Sequence, residues 1–303
     1  MRFISDSEIK ALDISPAQCV AWVREAFLMK KRCHLPAKVS LHPQGTDFIN
    51  TMPCLLPEEY HRFGCKIVSR IKGSVPSLKS NMMLLDSSNG DMLAILDCDW
   101  ITAMRTGAVA TLAIMTLTNS RASVFSFIGL GVIGHATLEC FLSQYGDRNI
   151  TVRLKKYKDH AENVIGYFSP RYPAVNFEIA DTMEDFVNDA DVIVSCITDA
   201  TGMLVENTDL LKPGVLIVPV HTRGFQNCDT IFDKVFGDDT DHVRDFRYFS
   251  QFRKFGEISD VLSGELPGRE SDEERILSYN IGLGLHDVYF ASKIEQLLNE
   301  KTE

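Results

Sequence analysis

The amino-acid sequence predicts an α/β fold in two parts, a smaller α+β domain followed by a doubly wound parallel sheet. Before residue 100, strand-like segments follow one another closely and are divided by turn residues, which favours antiparallel hairpins. After residue 120, strand-like and helix-like segments alternate, which favours parallel strands joined by helices. A glycine pattern, Gly129-x-Gly131-x-x-Gly134, stands at the first of these alternations. We therefore predict a Rossmann domain that follows an α+β domain.

The first domain opens with a predicted amphipathic helix over residues 15–32. Ser15 is a suitable N-cap, Pro16 fits the first helical position, and apolar residues recur at helical spacing after it. The next alternating segments are predicted as strands over residues 38–42, 48–52, 63–70, 81–85 and 92–97. Residues 99–117 are predicted as one long helix that is apolar on much of its surface.

The second domain is predicted from buried-strand patterns separated by helices. The strands are expected over residues 124–128, 150–154, 175–180, 191–196 and 215–220. A final helix over 278–298 is expected to return to the first domain. The predicted division is a first domain over 1–118, completed by 278–303, and a Rossmann domain over 119–277.

The bulk composition is that of an ordinary globular protein, with 45% hydrophobic and 24% charged residues. The net charge of −10 argues against nucleic acid as a partner. The eight cysteines and eight histidines show no metal-ligand spacing, so we expect reduced thiols and no metal. No apolar stretch approaches the about 18 residues of a membrane span, and the N-terminus lacks the apolar region of a signal peptide. We expect a cytoplasmic protein without membrane contact.

The glycine pattern has the context that dinucleotide binding requires, because an apolar run over 124–128 leads into it and a helix-like stretch follows. Gly129 makes the tight turn, Gly131 admits a pyrophosphate, and Gly134 lets helix and strand pack closely. Val132 and Ile133 lie between the glycines, at the helix N-terminus that attracts phosphates. Two further positions follow strands where Rossmann ligands bind, Thr198 and Val220.

The second strand of this domain bears on the choice of nucleotide. The position near Leu154, where NAD-binding members carry a carboxylate, is not acidic, and Lys155, Lys156 and Lys158 follow it. Lysines there would accept the 2′-phosphate of NADP, although a solvated lysine turn gives the same pattern. NADP is therefore slightly favoured over NAD.

Four residues are candidates for the chemistry. Lys66 and Arg105 lie in apolar surroundings, and Lys38 follows an apolar segment. Each could be a surface charge with an apolar stem, but a group of cations would hold a substrate carboxylate. His221 follows the predicted fifth strand and is equally well interpreted as a general acid or base or as a structural histidine.

The chain resembles the ornithine cyclodeaminase/μ-crystallin family over essentially its whole length. The most specific segments are the Arg105-Thr-Gly-Ala stretch and residues 256–269. The other matching segments are residues 35–38, 47–53, 63–69, 127–134 and 282–287.

The resemblance implies a homodimer built through the first domain and a small amino or imino acid bound between the domains beside the nicotinamide. It implies that Lys66 and Arg105 hold the carboxylate, that Lys38 occupies a related basic position, and that Lys66 can supply a proton. It also implies roles at the cofactor for Thr106, at the phosphates, and for Ser77 and Asn280, near the nicotinamide.

One departure from the family concerns the segment after the fifth strand. The cyclodeaminases carry an aspartate there in a glycine-rich turn, whereas this chain has a shortened segment in which Asp229 comes late and His221 or Arg223 is available to read another substrate. The first expectation is therefore an NAD(P)-dependent oxidoreductase acting on C–N bonds, as an imine or ketimine reductase or an amino-acid dehydrogenase. The alternatives are ornithine cyclodeaminase, which gives proline and ammonia while NAD is recycled, and a non-catalytic μ-crystallin-like binding protein.

Overall fold

The structure is a computed structural model that describes residues 1–198, 200 and 202–301. Its contacts divide the chain into unit 1, which comprises Met1–Arg105 with Leu283–Glu303, and unit 2, which comprises Thr106–Gly282. The boundaries predicted from the sequence, after residues 118 and 277, differ from this division at both places. In chain order the strands and α-helices are β1 (Arg2–Ile4), α1 (Asp6–Lys10), α2 (Pro16–Met29), β2 (Val39–Leu41), β3 (Phe48–Leu55), β4 (Arg62–Arg70), β5 (Leu78–Asp86), β6 (Met92–Asp97), α3 (Asp99–Leu117), β7 (Val124–Ile128), α4 (Val132–Tyr145), β8 (Ile150–Lys155), α5 (His160–Phe168), β9 (Val175–Ala180), α6 (Met183–Val187), β10 (Val192–Ser195), β11 (Leu216–Pro219), β12 (Lys234–Gly237), α7 (Thr240–Val243), β13 (Phe255–Glu257), α8 (Ile258–Leu262), β14 (Ile276–Tyr279) and α9 (Gly284–Glu300).

Unit 1 is built on a six-stranded sheet in the order β1-β6-β5-β4-β3-β2. β1 runs parallel to β6, and the other neighbours are antiparallel, as the closely spaced strand patterns predict. Helix α9 packs across β3, β4 and β5, and α2 packs against α9. The close packing of α9 on the sheet requires glycine at two positions. A Cβ on Gly64 would lie 2.8 Å from Val288, and one on Gly284 would lie 2.8 Å from the Met52 carbonyl oxygen.

Unit 2 is built on an eight-stranded, all-parallel sheet in the order β13-β12-β14-β11-β10-β7-β8-β9. Its central strands are buried along their whole length, as strands with helices on both faces must be. The chain winds outward from β7 in both directions, so the strand order reverses between β7 and β10. Ligands of doubly wound sheets bind at the carboxyl ends of the strands beside such a reversal.

The prediction of a final helix from residue 278 was wrong in its start. Residues Ile276–Tyr279 form β14, which lies between β11 and β12, and α9 begins only at Gly284. All four residues of β14 are buried. A short apolar run does not distinguish a buried strand from the first turn of a buried helix, so only the sheet order identifies it.

The expectation that no apolar stretch approaches a membrane span was also wrong. Helix α3 is long and apolar enough to cross a membrane by length and composition, but 78% of its most apolar window is buried inside the protein. Burial in the protein interior accounts for the same composition, since a helix that is apolar on most sides is found in cores as well as in membranes.

Candidate functional site

The glycine turn of unit 2 has the geometry that a dinucleotide needs. Gly129 has a φ of +87°, and a Cβ on it would lie 2.4 Å from the Cys196 carbonyl carbon. A Cβ on Gly134 would lie 2.2 Å from the Gly129 carbonyl oxygen, so this residue lets α4 start directly above the turn. A Cβ on Gly131, by contrast, would meet no atom within 4 Å. The space beside Gly131 is open, which is where a pyrophosphate approaches the backbone.

The N-terminus of α4 faces this open space without a side chain that caps it. Gly131 is the N-cap residue and provides no side-chain hydrogen bond, and Val132 is 75% exposed. Ile133 is bound into the helix, because its carbonyl accepts a hydrogen bond of 2.7 Å from the Thr137 hydroxyl. The first N–H groups of a helix and its dipole favour an anion at this position. The residues present therefore fit a dinucleotide phosphate.

The last three residues of the Arg105-Thr-Gly-Ala segment belong to unit 2. Thr106 is half-buried on α3. A Cβ on Gly107 would lie 2.6 Å from the Ala136 carbonyl oxygen of α4, so glycine is needed where α3 crosses α4. This packing places Thr106 beside the helix that begins at the glycine turn.

The two lysines at the end of β8, Lys155 and Lys156, interact with the segment after β9. The Lys155 ammonium donates to the Asp181 carbonyl oxygen at 2.8 Å, and the Lys156 ammonium lies 3.3 Å from an Asp181 carboxylate oxygen. Leu154 is buried in the sheet, whereas Lys155, the last residue of β8, has a partly exposed side chain. The region thus holds two cations and one carboxylate. The cations could bind a 2′-phosphate, and the carboxylate could accept a hydrogen bond from a ribose hydroxyl.

Three strands of unit 2 end together at the carboxyl edge of the sheet. The Val220 N–H donates to the Ser195 carbonyl at 3.0 Å, and the Asn280 N–H donates to the Pro219 carbonyl at 3.1 Å. The structure therefore brings Val220 and Asn280 together, and their roles at the cofactor stay predictions. Thr198 follows β10 and is exposed.

His221 extends this edge and forms a 2.6 Å hydrogen bond from Nε2 to the Ser195 hydroxyl. Burial lowers the pKa of His221 to about 4, against the opposite effect of a backbone hydrogen bond with Arg223. The imidazole is therefore uncharged at neutral pH. A neutral imidazole that is hydrogen-bonded to Ser195 fits a structural histidine and also a general base, so both interpretations of His221 stay predictions.

Asp229 lies in the interior of unit 2, where it is 1% exposed. The Tyr279 hydroxyl donates to one of its carboxylate oxygens at 2.7 Å. Burial raises the pKa of Asp229 to about 6, although the Tyr279 hydrogen bond lowers it. The Asp229 carboxyl is therefore held inside the core of unit 2.

Unit 1 contains a buried group of three charged side chains, Lys66, Arg105 and Asp287. The Lys66 ammonium lies 2.7 Å from Asp287 Oδ2, and Arg105 Nε donates to Asp287 Oδ1 at 3.0 Å. Lys66 and Asp287 are 0% exposed and Arg105 is 6% exposed. Burial and the nearby Arg105 lower the pKa of Lys66, Asp287 raises it, and together they bring it to about 8. The structure thus brings Lys66 and Arg105 together, with the Asp287 carboxylate between them, and their role in holding a substrate carboxylate stays a prediction.

Three residues near Lys66, namely Asp287, Ser80 and Thr102, escaped the sequence reasoning. Asp287 is an acidic residue in the first turn of α9, between His286 and Val288, and its position in a mostly apolar segment could have identified it. Ser80 and Thr102 carry hydroxyls that connect to Lys66, as described below, and serine and threonine are too common for their positions to attract notice. Only the sheet register and the helix face bring them to the lysine.

Two predicted residues of unit 1 lie in its loops. Lys38 is half-buried directly before β2, and Ser77 is exposed before β5, where its carbonyl accepts a hydrogen bond from the Ile71 N–H at 3.0 Å. Their roles stay predictions. Within residues 1–198, 200 and 202–301, no group of three or more histidine, cysteine, aspartate or glutamate residues is placed to hold a metal ion.

The chain is similar to known proteins over most of its length. The Nodulation efficiency protein NfeD of Rhizobium meliloti is 27% identical over 283 residues, which cover 86% of this chain and 82% of that protein. The N-((2S)-2-amino-2-carboxyethyl)-L-glutamate dehydrogenase of Staphylococcus aureus is 25% identical over 273 residues, which cover 82% of this chain and 79% of that protein.

Among solved structures, Thermococcus litoralis Delta(1)-pyrroline-2-carboxylate reductase in complex with NADH and L-proline has a TM-score of 0.88 at 21% identity, with 100% of this chain and 98% of that chain covered. This likeness shows a common fold. The Ornithine cyclodeaminase/mu-crystallin family matches residues 3–302. The chain therefore belongs to the ornithine cyclodeaminase/mu-crystallin family.

Proposed function

We propose that this NAD(P)-dependent oxidoreductase transfers hydride to or from the C–N carbon of a small amino or imino acid, as an imine reductase or an amino-acid dehydrogenase. The observation that carries the proposal is the buried group of Lys66, Arg105 and Asp287. Two cations and one carboxylate leave one net positive charge, which suits one substrate carboxylate. The dehydrogenase among the relatives supports the same class of reaction.

The chemistry divides between the two units. A bound nicotinamide supplies the hydride or accepts it, and the open turn at Gly131 would hold its dinucleotide. Arg105 would bind the substrate carboxylate, since its guanidinium forms a planar pair with carboxylates. Lys66 would donate a proton to the substrate nitrogen during reduction and take it back during oxidation. Asp287 would fix the directions of both cations.

Lys66 gives the proposal its pH dependence. Its pKa of about 8 means that the lysine is protonated at neutral pH and loses its proton as the pH rises past that value. Reduction should therefore decline above pH of about 8, while oxidation should gain. A Lys66→Met variant should lose reductase activity but bind nucleotide, whereas the exposed Lys10→Met variant on α1 should keep both.

For the cofactor we propose NADP, with NAD as the alternative. Lys155 and Lys156 support a 2′-phosphate site, although Asp181 offsets part of their charge. Replacing both lysines by alanine should raise the Kd for NADPH about 10-fold or more and change that for NADH little, because each phosphate contact contributes on the order of 1 kcal/mol. Fluorescence titration of both reduced cofactors measures this. Equal losses for the two would contradict the 2′-phosphate site.

Ornithine cyclisation finds little support in the chain. The aspartate of the cyclodeaminases has no counterpart in the segment after β11, and Asp229 is buried against Tyr279. A purely structural or carrier role is disfavoured by the buried charges, because two cations and a carboxylate are costly to desolvate without a function.

We further propose that the protein is a homodimer. One face of the unit 1 sheet carries α9, and the strand register places exposed apolar side chains on the other face. They are Phe3, Val39, Leu41, Ile67 and Met83. A sheet face with several exposed apolar side chains favours association, and a second copy is the occupant that the family resemblance implies. All eight cysteines are free thiols, which fits a cytoplasmic location.

The test of the reaction is a panel of cyclic and open imino acids assayed with NADH and NADPH. A reductase consumes one reduced cofactor for each imine, which the nicotinamide absorbance reports. Ammonia release from ornithine without net absorbance change would instead indicate the cyclodeaminase. If the protein binds nucleotide in a thermal-shift assay but neither reduces an imine nor releases ammonia from ornithine, it is a carrier and the proposal is overturned.

A further inference from the structure

Lys66 is connected to a second carboxylate through two hydroxyl groups. The Lys66 ammonium donates to the Thr102 hydroxyl at 3.5 Å, the Thr102 and Ser80 hydroxyls lie 2.9 Å apart, and the Ser80 hydroxyl donates to Asp99 Oδ1 at 3.1 Å. The Ser80 N–H also donates to that oxygen, at 2.7 Å. The four side chains form one continuous hydrogen-bonded chain within unit 1.

Two elements produce this chain. Asp99 and Thr102 recur three residues apart at the start of α3, so both lie on one face of the helix, and Arg105 continues that face. Ser80 of β5 and Lys66 of β4 point to the same side of the sheet, because both belong to the buried alternate positions of their strands. The helix face and the sheet face meet at the two hydroxyls.

The directions of the hydrogen bonds follow from the donors and acceptors available. A carboxylate only accepts, so the Ser80 hydroxyl hydrogen points to Asp99 and its oxygen accepts from Thr102. The Thr102 oxygen then accepts from Lys66, which only donates. The hydrogens thus point in order from Lys66 toward Asp99. This is the order in which a proton can pass along a chain of hydroxyls.

The two ends of this hydrogen-bonded chain differ in their exposure to solvent. Lys66 is 0% exposed, and Thr102 and Ser80 are buried as well, whereas Asp99 is partly exposed. The charged groups around Lys66 are Arg105 and Asp99 of α3 and Asp287 of α9, with the Cys98 thiol close by. Asp287 is itself 0% exposed, so of the two carboxylates Asp99 is the one that reaches water.

We infer that Thr102 and Ser80 form a proton relay that exchanges the Lys66 proton with water through Asp99. The inference rests on the proposed role of Lys66. When Lys66 gives a proton to the substrate nitrogen, one N–H bond of its ammonium breaks and a neutral amine remains. Asp99 takes a proton from water, the two hydroxyls turn, and Asp99, Ser80 and Thr102 each pass one proton inward. A new N–H bond forms on Lys66, the hydroxyls are restored, and no electrons are exchanged. Oxidation of an amine runs the same path outward.

Asp99→Asn separates a relay from a merely structural contact. The amide oxygen of asparagine still accepts both hydrogen bonds from Ser80, but the side chain cannot take up and pass on a proton. Thr102→Val removes the central hydroxyl, and Thr102→Ser restores it. Thr111→Val is the matched control, because Thr111 is buried on the same helix.

The first readout is the exchange of the Lys66 ammonium protons with water, measured by NMR on lysine labelled with nitrogen-15 and assigned through Lys66→Met. We expect exchange to slow about 10-fold or more in Asp99→Asn and Thr102→Val and to stay at the wild-type rate in Thr102→Ser and Thr111→Val. Wild-type exchange in Asp99→Asn would overturn the relay. This readout needs no turnover, so it decides the relay even if no imine is reduced and the proposed function fails.

The second readout is rapid mixing of the protein and NAD(P)H with an imine. Lys66 starts protonated, so in Asp99→Asn the first cofactor should be oxidised at the wild-type rate and later turnovers should be about 10-fold slower or more. A structural role predicts that the first turnover slows as much as the later ones, and that result would also overturn the relay.

Discussion

At the scale of single residues, the buried lysine in β4 explains most of the arrangement around it. An ammonium taken out of water costs several kcal/mol unless an opposite charge compensates it, and Asp287 lies 2.7 Å away. The same carboxylate binds Arg105, so one acidic residue orients two cations. The Asp287 side chain lies at the N-terminus of α9, where the helix dipole stabilises a negative charge.

Arg105→Ala should raise the KM for the amino or imino acid and lower kcat, with a combined loss in kcat/KM of about 100-fold. The variant removes one of two cations that would hold the carboxylate, while Asp287 keeps its contact with Lys66. Nucleotide affinity should change much less. Steady-state kinetics and a nucleotide titration measure the two effects. The exposed Arg121→Ala serves as control, and wild-type kinetics in Arg105→Ala would remove Arg105 from the site.

Asp229 gives a pH dependence of stability. Its pKa is raised from 3.8 to about 6 in the folded protein, so the folded state binds the proton more tightly than the unfolded state. Its contribution to the free energy of unfolding is complete below pH of about 4 and falls as the pH rises to about 6, by about 3 kcal/mol in total. Asp229→Asn should abolish that decline and keep the Tyr279 hydrogen bond.

Chemical denaturation at a series of pH values measures the effect, with the exposed Asp209→Asn as the matched control. A wild-type protein whose unfolding free energy changes with pH in the same way as that of Asp229→Asn would show that Asp229 is not the group responsible.

The residue scale also shows where sequence reasoning stops. Lys66 and Arg105 could be singled out because charges in apolar stretches are unusual. Ser80 and Thr102 could not, because hydroxyls fit both surfaces and interiors and their partners are distant in sequence. The burial of Asp229 depends on β14, which the sequence pattern did not identify as a strand.

At the scale of elements, the turn between β7 and α4 is the part of the site that the sequence predicted in most detail. The roles expected for Gly129, Gly131 and Gly134 correspond to a positive φ, an open approach and a close helix-to-turn contact. These are backbone requirements that only glycine meets, so the glycines in the sequence are enough to predict them. Contacts of side chains further along the sheet carry no such signature.

The same turn yields a matched pair of substitutions. Gly131→Ala should leave the melting temperature unchanged, because its Cβ meets open space, and should weaken nucleotide binding about 10-fold or more, since the methyl group takes the place of the pyrophosphate. Gly134→Ala should lower the melting temperature as well, because its Cβ would lie 2.2 Å from the Gly129 carbonyl oxygen.

Thermal unfolding and cofactor titration of both variants test this pair. Wild-type affinity for NADH and NADPH in a folded Gly131→Ala protein would contradict a dinucleotide at the turn. An unchanged melting temperature in Gly134→Ala would contradict the close packing of α4 on the turn.

At the scale of the whole molecule, the family, the α/β fold class and the enzyme class predicted from the sequence are confirmed. The homodimer remains a proposal, and its test is direct. Ile67→Asp places a charge in the apolar face of the unit 1 sheet and should convert a dimer to monomers in sedimentation velocity. Leu28→Asp on α2 is the control, because Leu28 is 43% exposed and Ile67 is 42% exposed. A wild-type monomer, or a dimer that persists in Ile67→Asp, would contradict this interface.

The sequence by itself determined the class of fold, the dinucleotide turn and two of the buried cations, because strand periodicity, obligatory glycines and charges in apolar runs are local properties. Only the tertiary structure decided that β14 completes the parallel sheet, that Asp287 joins Lys66 to Arg105, and that Ser80 and Thr102 lead from Lys66 to Asp99. These contacts join residues far apart in the chain, and their partners are set by strand order and helix packing, which no local pattern specifies.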